Sequence, residues 1–185
     1  MAARSSRRWA TASCPAREYS PRSSRKDGSA VKVAVITVSD RASRGEYEDL
    51  SGPEMESVFR ALVPGIEIER TVVPDEKPAI VAALGRFVGF DWIFTTGGTG
   101  PAPRDVTPEA TAAFIDRQAP GLAEYLRLES LKETSHAVFS RGIAGMRGTT
   151  YVVNAPGSVK AARLCATIFA PLLDHGVRMS NGTGH

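Results

Sequence analysis

Residues 91–110 read Asp-Trp-Ile-Phe-Thr-Thr-Gly-Gly-Thr-Gly-Pro-Ala-Pro-Arg-Asp-Val-Thr-Pro-Glu-Ala. The run from Trp92 to Thr96 is apolar, β-branched and aromatic, which predicts a short buried strand. A glycine-rich loop follows, and then Thr107 and Pro108 have the residue types expected at the N-cap and first position of a helix. The stretch therefore predicts a strand, a loop and a helix in succession, the unit from which α/β folds are built.

The composition of this loop suits a phosphate site. Glycine lacks a Cβ, so backbone N–H groups can turn towards an anion that approaches closely; the loop residues are Gly97, Gly98, Thr99 and Gly100. Arg104 and Asp105 then place a cation beside a carboxylate. The loop lacks the Lys-Ser/Thr of a P-loop and the spacing of a dinucleotide fingerprint. Taken alone, it is also compatible with a simple tight turn, with Asp105 favouring the helix N-terminus.

Three further predicted strands end in polar residues. The run 31–38 leads into Ser39, Asp40 and Arg41, the run 66–73 into Asp75, and the run 150–153 into the segment 154–158. Parallel strands present their carboxyl ends at one edge of a sheet, where ligands bind in open α/β folds. Capping offers a simpler explanation for some of these residues, with Asp75 and Ser158 as N-caps of the helices that follow them.

Alternation of strands with helices predicts an α/β fold. We expect one domain over residues 31–185, a doubly wound, mostly parallel sheet with helices on both faces. Helices are predicted at 53–62, 76–88, 107–115, 121–131 and 159–169, and the glycine-rich segment 142–148 as a loop or short strand. Residues 180–185 are expected to be disordered.

Charge is unevenly distributed along the 185 residues. The net charge is +3, but residues 1–30 hold seven Arg and Lys against two acids, a balance of +5, so the remainder carries −2. We therefore expect a disordered basic tail at 1–30, which is compatible with a transit peptide but fits a dispensable tail or a misassigned start site better. The net charge of residues 31–185 therefore gives no electrostatic reason to expect nucleic acid as a partner.

Composition argues against two other classes of protein. No apolar run reaches the roughly 18 residues of a membrane span. Two cysteines and three scattered histidines indicate neither a disulfide framework nor a zinc site, and they fit a reducing, cytoplasmic location.

The string Thr-Gly-Gly-Thr-Gly, three residues, then Arg-Asp-Val-Thr-Pro-Glu-Ala-Thr resembles the signature of the molybdenum-cofactor biosynthesis family. That family includes Mog-type adenylyltransferases, MoaB-type proteins and the gephyrin G domain, and Pro-Ala-Pro at 101–103 is closer to the Mog type. The resemblance implies transfer of AMP from ATP to the terminal phosphate of molybdopterin, with release of pyrophosphate. It also implies Mg²⁺, a homotrimer and delivery to a downstream molybdenum-insertion protein.

The resemblance also implies which residues form the site. Asp105 and Asp75 are expected to be catalytic, with Asp105 as the metal ligand. The expected substrate-binding residues are Ser39, Asp40, Arg41, Gly97, Gly98, Thr99, Gly100, Arg104, Asn154, Pro156, Gly157 and Ser158. Ser140 and Arg141 match a Ser-Arg that lies near the active site in the family. A MoaB-type role, or that of a carrier which binds molybdopterin without adenylyl transfer, remains the alternative.

Overall fold

Six strands form one sheet in the computed structural model, which describes residues 30–182. The strands are β1 (Lys32–Val38), β2 (Glu67–Val73), β3 (Trp92–Thr96), β4 (Arg117–Gln118), β5 (Ala144–Arg147) and β6 (Thr150–Ala155). Their order across the sheet is β2-β1-β3-β6-β5-β4. Strands β2, β1, β3 and β6 are parallel, whereas β5 pairs antiparallel with both β6 and β4.

Seven helices accompany the sheet over the same residues. They are α1 (Asp40–Ser43), α2 (Ser51–Leu62), α3 (Lys77–Arg86), α4 (Thr107–Phe114), α5 (Pro120–Glu133), α6 (Val159–Phe169) and α7 (Leu173–Ser180). Two short 3-10 helices lie at Ser135–Phe139 and Ala170–Leu172. None of the helices in residues 30–182 is long and apolar enough to cross a membrane.

The central strands are buried along almost their whole length, because both faces of the sheet are covered. Alternate β1 residues enter different cores: Val33 and Val35 pack towards α2 and α6, whereas Ala34 and Ile36 pack towards α3 and α4. Residues of α5 and α7 join the first core. The predicted α/β fold, a mostly parallel sheet with helices on both faces, is confirmed.

The parallel register brings the strand ends together. Val38 at the end of β1 is paired with Val73 of β2, and Thr37 with Thr96 of β3, which in turn is paired with Ala155 of β6. The residues that follow these four strands therefore open on one edge of the sheet, as the sequence predicts.

The structure also contains elements that the sequence did not reveal. Strand β4 has only two residues, too few for any periodicity to register. Helix α7 contains Gly176, a weak helix former, because a Cβ there would lie 2.4 Å from Trp92. This helix ends at Ser180 and residues 181–182 form a turn, so the disorder predicted from 180 onwards is wrong at its start. Residues 183–185, and 1–29 of the predicted tail, lie outside the described residues.

Candidate functional site

The glycine loop is held between two neighbouring strand ends. Gly97 has φ +108°, which L side chains rarely adopt, and a Cβ there would lie 2.3 Å from the Val38 carbonyl oxygen. A Cβ on Gly157, after β6, would lie 3.0 Å from the Gly97 Cα. The end of β1 and the loops that follow β3 and β6 thus meet at Gly97 with backbone against backbone.

Thr107 closes this loop from the start of α4. Its hydroxyl donates to the Gly97 carbonyl oxygen at 2.9 Å, and its N–H donates to the Gly98 carbonyl oxygen at 3.1 Å. The predicted N-cap role for Thr107 is wrong, because Val106 is the N-cap residue and Thr107 is the first residue of the helix. The hydroxyl stabilises the loop instead of the helix terminus.

Asp40 and Asp75 lock the ends of β1 and β2 together. The Asp40 N–H donates to the Asp75 carboxylate at 2.7 Å, and the Asp75 N–H donates to the Asp40 carboxylate at 3.0 Å. Glu76 is the residue that precedes α3, so the alternative explanation of Asp75 as an N-cap is wrong. Arg104 reaches across from the glycine loop and pairs with Asp40.

These contacts shift the two carboxylates in opposite directions. The hydrogen bond from Arg104 holds the pKa of Asp40 below its ordinary value of 3.8. Burial raises the pKa of Asp75 above the same ordinary value, and the negative charges of Asp40 and Asp105 act in the same direction. Two neighbouring carboxylates of unlike proton affinity are typical of functional sites.

Asp105 lies at the far end of the glycine loop. Its carboxylate accepts a hydrogen bond from the Ala102 N–H at 3.0 Å, and a Cβ on Gly100 would lie 2.8 Å from one of its oxygens. This geometry places the carboxylate against the backbone of the loop. Residues 30–182 provide no further hydrogen-bond donor to it, so its remaining lone pairs can accept from a ligand or a cation.

A cavity of about 1220 Å³ opens beside these groups. Of the residues expected at or near the site, it is lined by Gly97, Gly98, Thr99, Gly100, Asp105, Ser140, Pro156, Gly157 and Ser158. Asp75 approaches the loop near Gly98 without lining the cavity. Ser39, Asp40, Arg41 and Arg104 also lie outside the lining. The predicted residues therefore form two sets. One set lines the cavity, and the other, which includes Asp40 and Asp75, lies outside its lining.

Three predicted ligand-binding residues have local partners. Ser39 is the N-cap of α1, and the Arg41 guanidinium lies over the Tyr47 ring. Ser158 caps α6, as the capping explanation predicts, and also lines the cavity.

Asn154 is 2% exposed, and its amide cross-links three elements. Its Nδ2 donates to the hydroxyls of Thr95 and Thr111, at 3.0 and 2.9 Å, while its Oδ1 accepts from the Ile143 N–H. These bonds engage both ends of the amide, and Asn154 does not line the cavity.

Sequence reasoning missed the second wall of the cavity. Lys160, Arg163, Leu164 and Thr167 of α6 line it. Their spacing of i, i+3, i+4 and i+7 places them on one helix face. The inward face of this helix was predicted to carry Cys165, Ile168 and Phe169. The polar stripe on the opposite face could therefore have indicated residues available to line a cavity.

The donor set is compatible with Mg²⁺ that is carried by phosphates. Residues 30–182 contain no group of three or more His, Cys, Asp or Glu able to hold a metal ion. Mg²⁺ commonly binds through one or two carboxylates plus substrate phosphates, and a full protein cage is not required. Asp105 offers one such carboxylate at the cavity.

Comparison with known proteins places this site in context. Residues 34–175 match the family described as "probable molybdopterin binding domain". The molybdopterin adenylyltransferase of Haemophilus influenzae is 42% identical over 137 residues, covering 72% of this chain and 70% of that protein. The molybdenum cofactor synthesis protein cinnamon of Drosophila melanogaster is 38% identical, and the match covers 80% of this chain but only 25% of that protein.

Solved structures show the same architecture. The molybdopterin biosynthesis Mog protein of Mycobacterium ulcerans has a TM-score of 0.75 at 36% identity, covering 82% of this chain and 99% of that one. The molybdopterin biosynthesis enzyme MoaB of Thermus thermophilus has a TM-score of 0.70 at 42% identity, covering 82% and 97%.

Proposed function

The chain belongs to the family of probable molybdopterin binding domains, and from that premise we propose that it is a molybdopterin adenylyltransferase. In this reaction the terminal phosphate of molybdopterin attacks the α-phosphorus of ATP, and adenylylated molybdopterin and pyrophosphate are formed. The observation that carries the proposal is the convergence of the glycine loop, Asp105 and the segment 156–158 on one cavity large enough for two phosphorylated ligands. A relative that is 42% identical over 137 residues is a molybdopterin adenylyltransferase.

Such a reaction depends mainly on positioning and charge neutralisation. A phosphate nucleophile is already ionised at neutral pH, so no histidine or cysteine base is needed. We propose that backbone N–H groups of the glycine loop and of the segment 157–158 hold phosphate oxygens, since amides at a loop or helix start attract anions.

The carboxylates have different proposed roles. Asp105, at the cavity, is the first candidate for the group that orients the reacting phosphates together with their metal ion. Asp75, next to Gly98, is the second. Asp105 would hold Mg²⁺ together with substrate phosphates, and the ion would supply neutralisation of phosphate charge. Asp40 and Arg104 form an ion pair that ties the glycine loop to the end of β1.

The test is turnover by the purified protein with molybdopterin and Mg-ATP. Pyrophosphate and adenylylated pterin should form, and Asp105→Asn should lower kcat by about 100-fold or more, because a neutral amide neither binds Mg²⁺ well nor balances its charge. Asp174→Asn removes a carboxylate from an exposed ion pair with Arg178 on α7 and serves as the matched control.

Other outcomes would change the proposal. Unchanged turnover in Asp105→Asn would remove Asp105 from the mechanism. Tight pterin binding without product, in wild type and variant alike, would favour the MoaB-type or carrier role.

We further propose a homotrimer in the cytoplasm that passes its product to a molybdenum-insertion protein. The support is the family resemblance and, for a reducing compartment, the free buried thiol of Cys165.

A further inference from the structure

We infer that Arg141 is a positioning residue, oriented by Glu109, that holds the glycine loop and Asp105 in the arrangement required for transfer. The inference rests on the proposed function for its kinetic consequence. Its structural content, a clamp on residues 99–105, stands on contacts alone.

Arg141 contacts both ends of the loop. Its Nε donates to the Gly100 carbonyl oxygen at 2.8 Å, and its Nη2 donates to the Asp105 carbonyl oxygen. Its own backbone N–H donates to the Thr99 carbonyl oxygen at 2.8 Å. One residue thus binds three carbonyls of the segment that carries the proposed phosphate amides and the metal carboxylate.

Glu109, in the first turn of α4, completes the clamp. Its carboxylate pairs with Arg141 Nη1, and the hydrogen bond from Arg141 holds the pKa of Glu109 below its ordinary value of 4.5. All three guanidinium nitrogens of Arg141 therefore have protein partners. A guanidinium engaged in this way acts on substrate through the loop, whereas a direct phosphate ligand would need nitrogens facing the cavity.

The backbone around Arg141 is itself anchored. Arg127 of α5 donates to the carbonyl oxygens of Ser140 and Gly142, at 3.2 and 2.9 Å. Asn154 accepts from the Ile143 N–H at 3.2 Å. The clamp is therefore attached to α5 and to β6, two elements packed in the core, so a rigid scaffold positions the loop.

These contacts distinguish the pair of Arg141 and Glu109 from an ordinary surface ion pair. The Arg141 side chain is 39% exposed, and an isolated pair at that exposure contributes little to stability. Two carbonyl bonds that span 41 and 36 residues of sequence add a geometric constraint that a surface pair lacks. Only the planar guanidinium of arginine can make these contacts together. Lysine keeps the positive charge but not this geometry, so Arg141→Lys tests the geometry.

Kinetics of Arg141→Lys and Glu109→Gln in the full chain test the inference. We expect kcat for pyrophosphate release to fall about tenfold or more in each variant, with the KM for ATP within about twofold of wild type, because the loss is in orientation. The double variant should have a kcat no lower than that of the less active single variant. On an Asp105→Asn background, Arg141→Lys should lower kcat by a smaller factor than it does in wild type. Arg70→Lys is the control. The Arg70 side chain is 38% exposed and pairs with Glu56, so kcat and KM should equal those of wild type.

Hydrogen exchange provides a readout that is independent of turnover. Amides of residues 98–106 should exchange faster in Arg141→Lys and Glu109→Gln at an unchanged Tm, and should be unaffected in Arg70→Lys. A raised KM for ATP in Arg141→Lys, with Glu109→Gln fully active, would make Arg141 a direct phosphate ligand and overturn the inference. Unchanged exchange would overturn it as well. A wild-type protein without product would instead contradict the proposed function, while exchange would still decide the clamp.

Discussion

At the level of single residues, the site combines carboxylates that repel one another. The charges of Asp40 and Asp105 both act on Asp75, and the charge of Arg104 offsets part of this repulsion. The Asp75 carboxylate is retained although burial disfavours its charge, an arrangement that costs stability and is common where function requires it. Its backbone bond with Asp40 needs only an oxygen acceptor, which asparagine also supplies.

We therefore expect Asp75→Asn to be more stable than wild type at neutral pH and less active. The folded-state pKa of Asp75 is raised, so the stabilisation from its protonated form is complete below the ordinary value of 3.8 and is lost as pH rises through the folded-state value. The Tm of Asp75→Asn relative to wild type should therefore rise as pH increases from 3.8 through the folded-state pKa of Asp75, and should stay constant above that pKa. Thermal unfolding between pH 4 and pH 8 measures this.

Asp40→Asn serves as the contrasting control. The pKa of Asp40 is lowered, so its ionised form stabilises the fold above 3.8, and that stabilisation is lost as pH falls through the folded-state value. Asp40→Asn should accordingly lower the Tm at neutral pH. An Asp75→Asn protein less stable than wild type at pH 7 would contradict the burial argument.

At the level of elements, the loop from β3 to α4 depends on close backbone approach. Gly97 fits between the Val38 carbonyl and Gly157 only because it has no side chain. Thr107 then binds the Gly97 carbonyl oxygen at the start of the loop, and Arg141 binds the Gly100 carbonyl oxygen at its end. The helix that follows contributes two of the residues that fix the loop, Thr107 and Glu109.

Gly97→Ala should destabilise the protein by about 2–4 kcal/mol, because the positive φ and the contact with Val38 both oppose a methyl group. Urea unfolding measures the change. Gly85→Ala in α3 is the matched control, since no atom lies within 4 Å of a Cβ there and alanine should stabilise the helix by up to about 1 kcal/mol. Equal effects of the two substitutions would mean that the loop can relax around a side chain.

At the level of the whole molecule, we expect a homotrimer. Native mass spectrometry should then give about three times the 19.7 kDa of one chain. Leu128, Val138 and Phe139 are each at least 60% exposed, and assembly commonly covers such apolar surface. A single-chain mass at micromolar concentration would contradict the prediction.

The sequence alone determined the parallel part of the sheet, the glycine loop and the helices on both faces. Continuous apolar runs such as 31–38 and stripes such as Cys165, Ile168 and Phe169 are local patterns that burial imposes on the chain. Because parallel strands share an orientation, the meeting of their carboxyl ends at one edge followed from the same patterns.

Only the tertiary structure decided what each polar side chain does at that edge. Asp75 and Thr107 have the residue types of helix caps, yet their partners are Asp40 and Gly97, which lie 35 and 10 residues away in sequence. Asn154 matched a ligand position but braces Thr95, Thr111 and Ile143, and Arg141 contacts a loop some 40 residues before it. The physical reason is that hydrogen bonding is satisfied by whichever groups packing brings within about 3 Å, and for residues distant in sequence that proximity belongs to the fold as a whole.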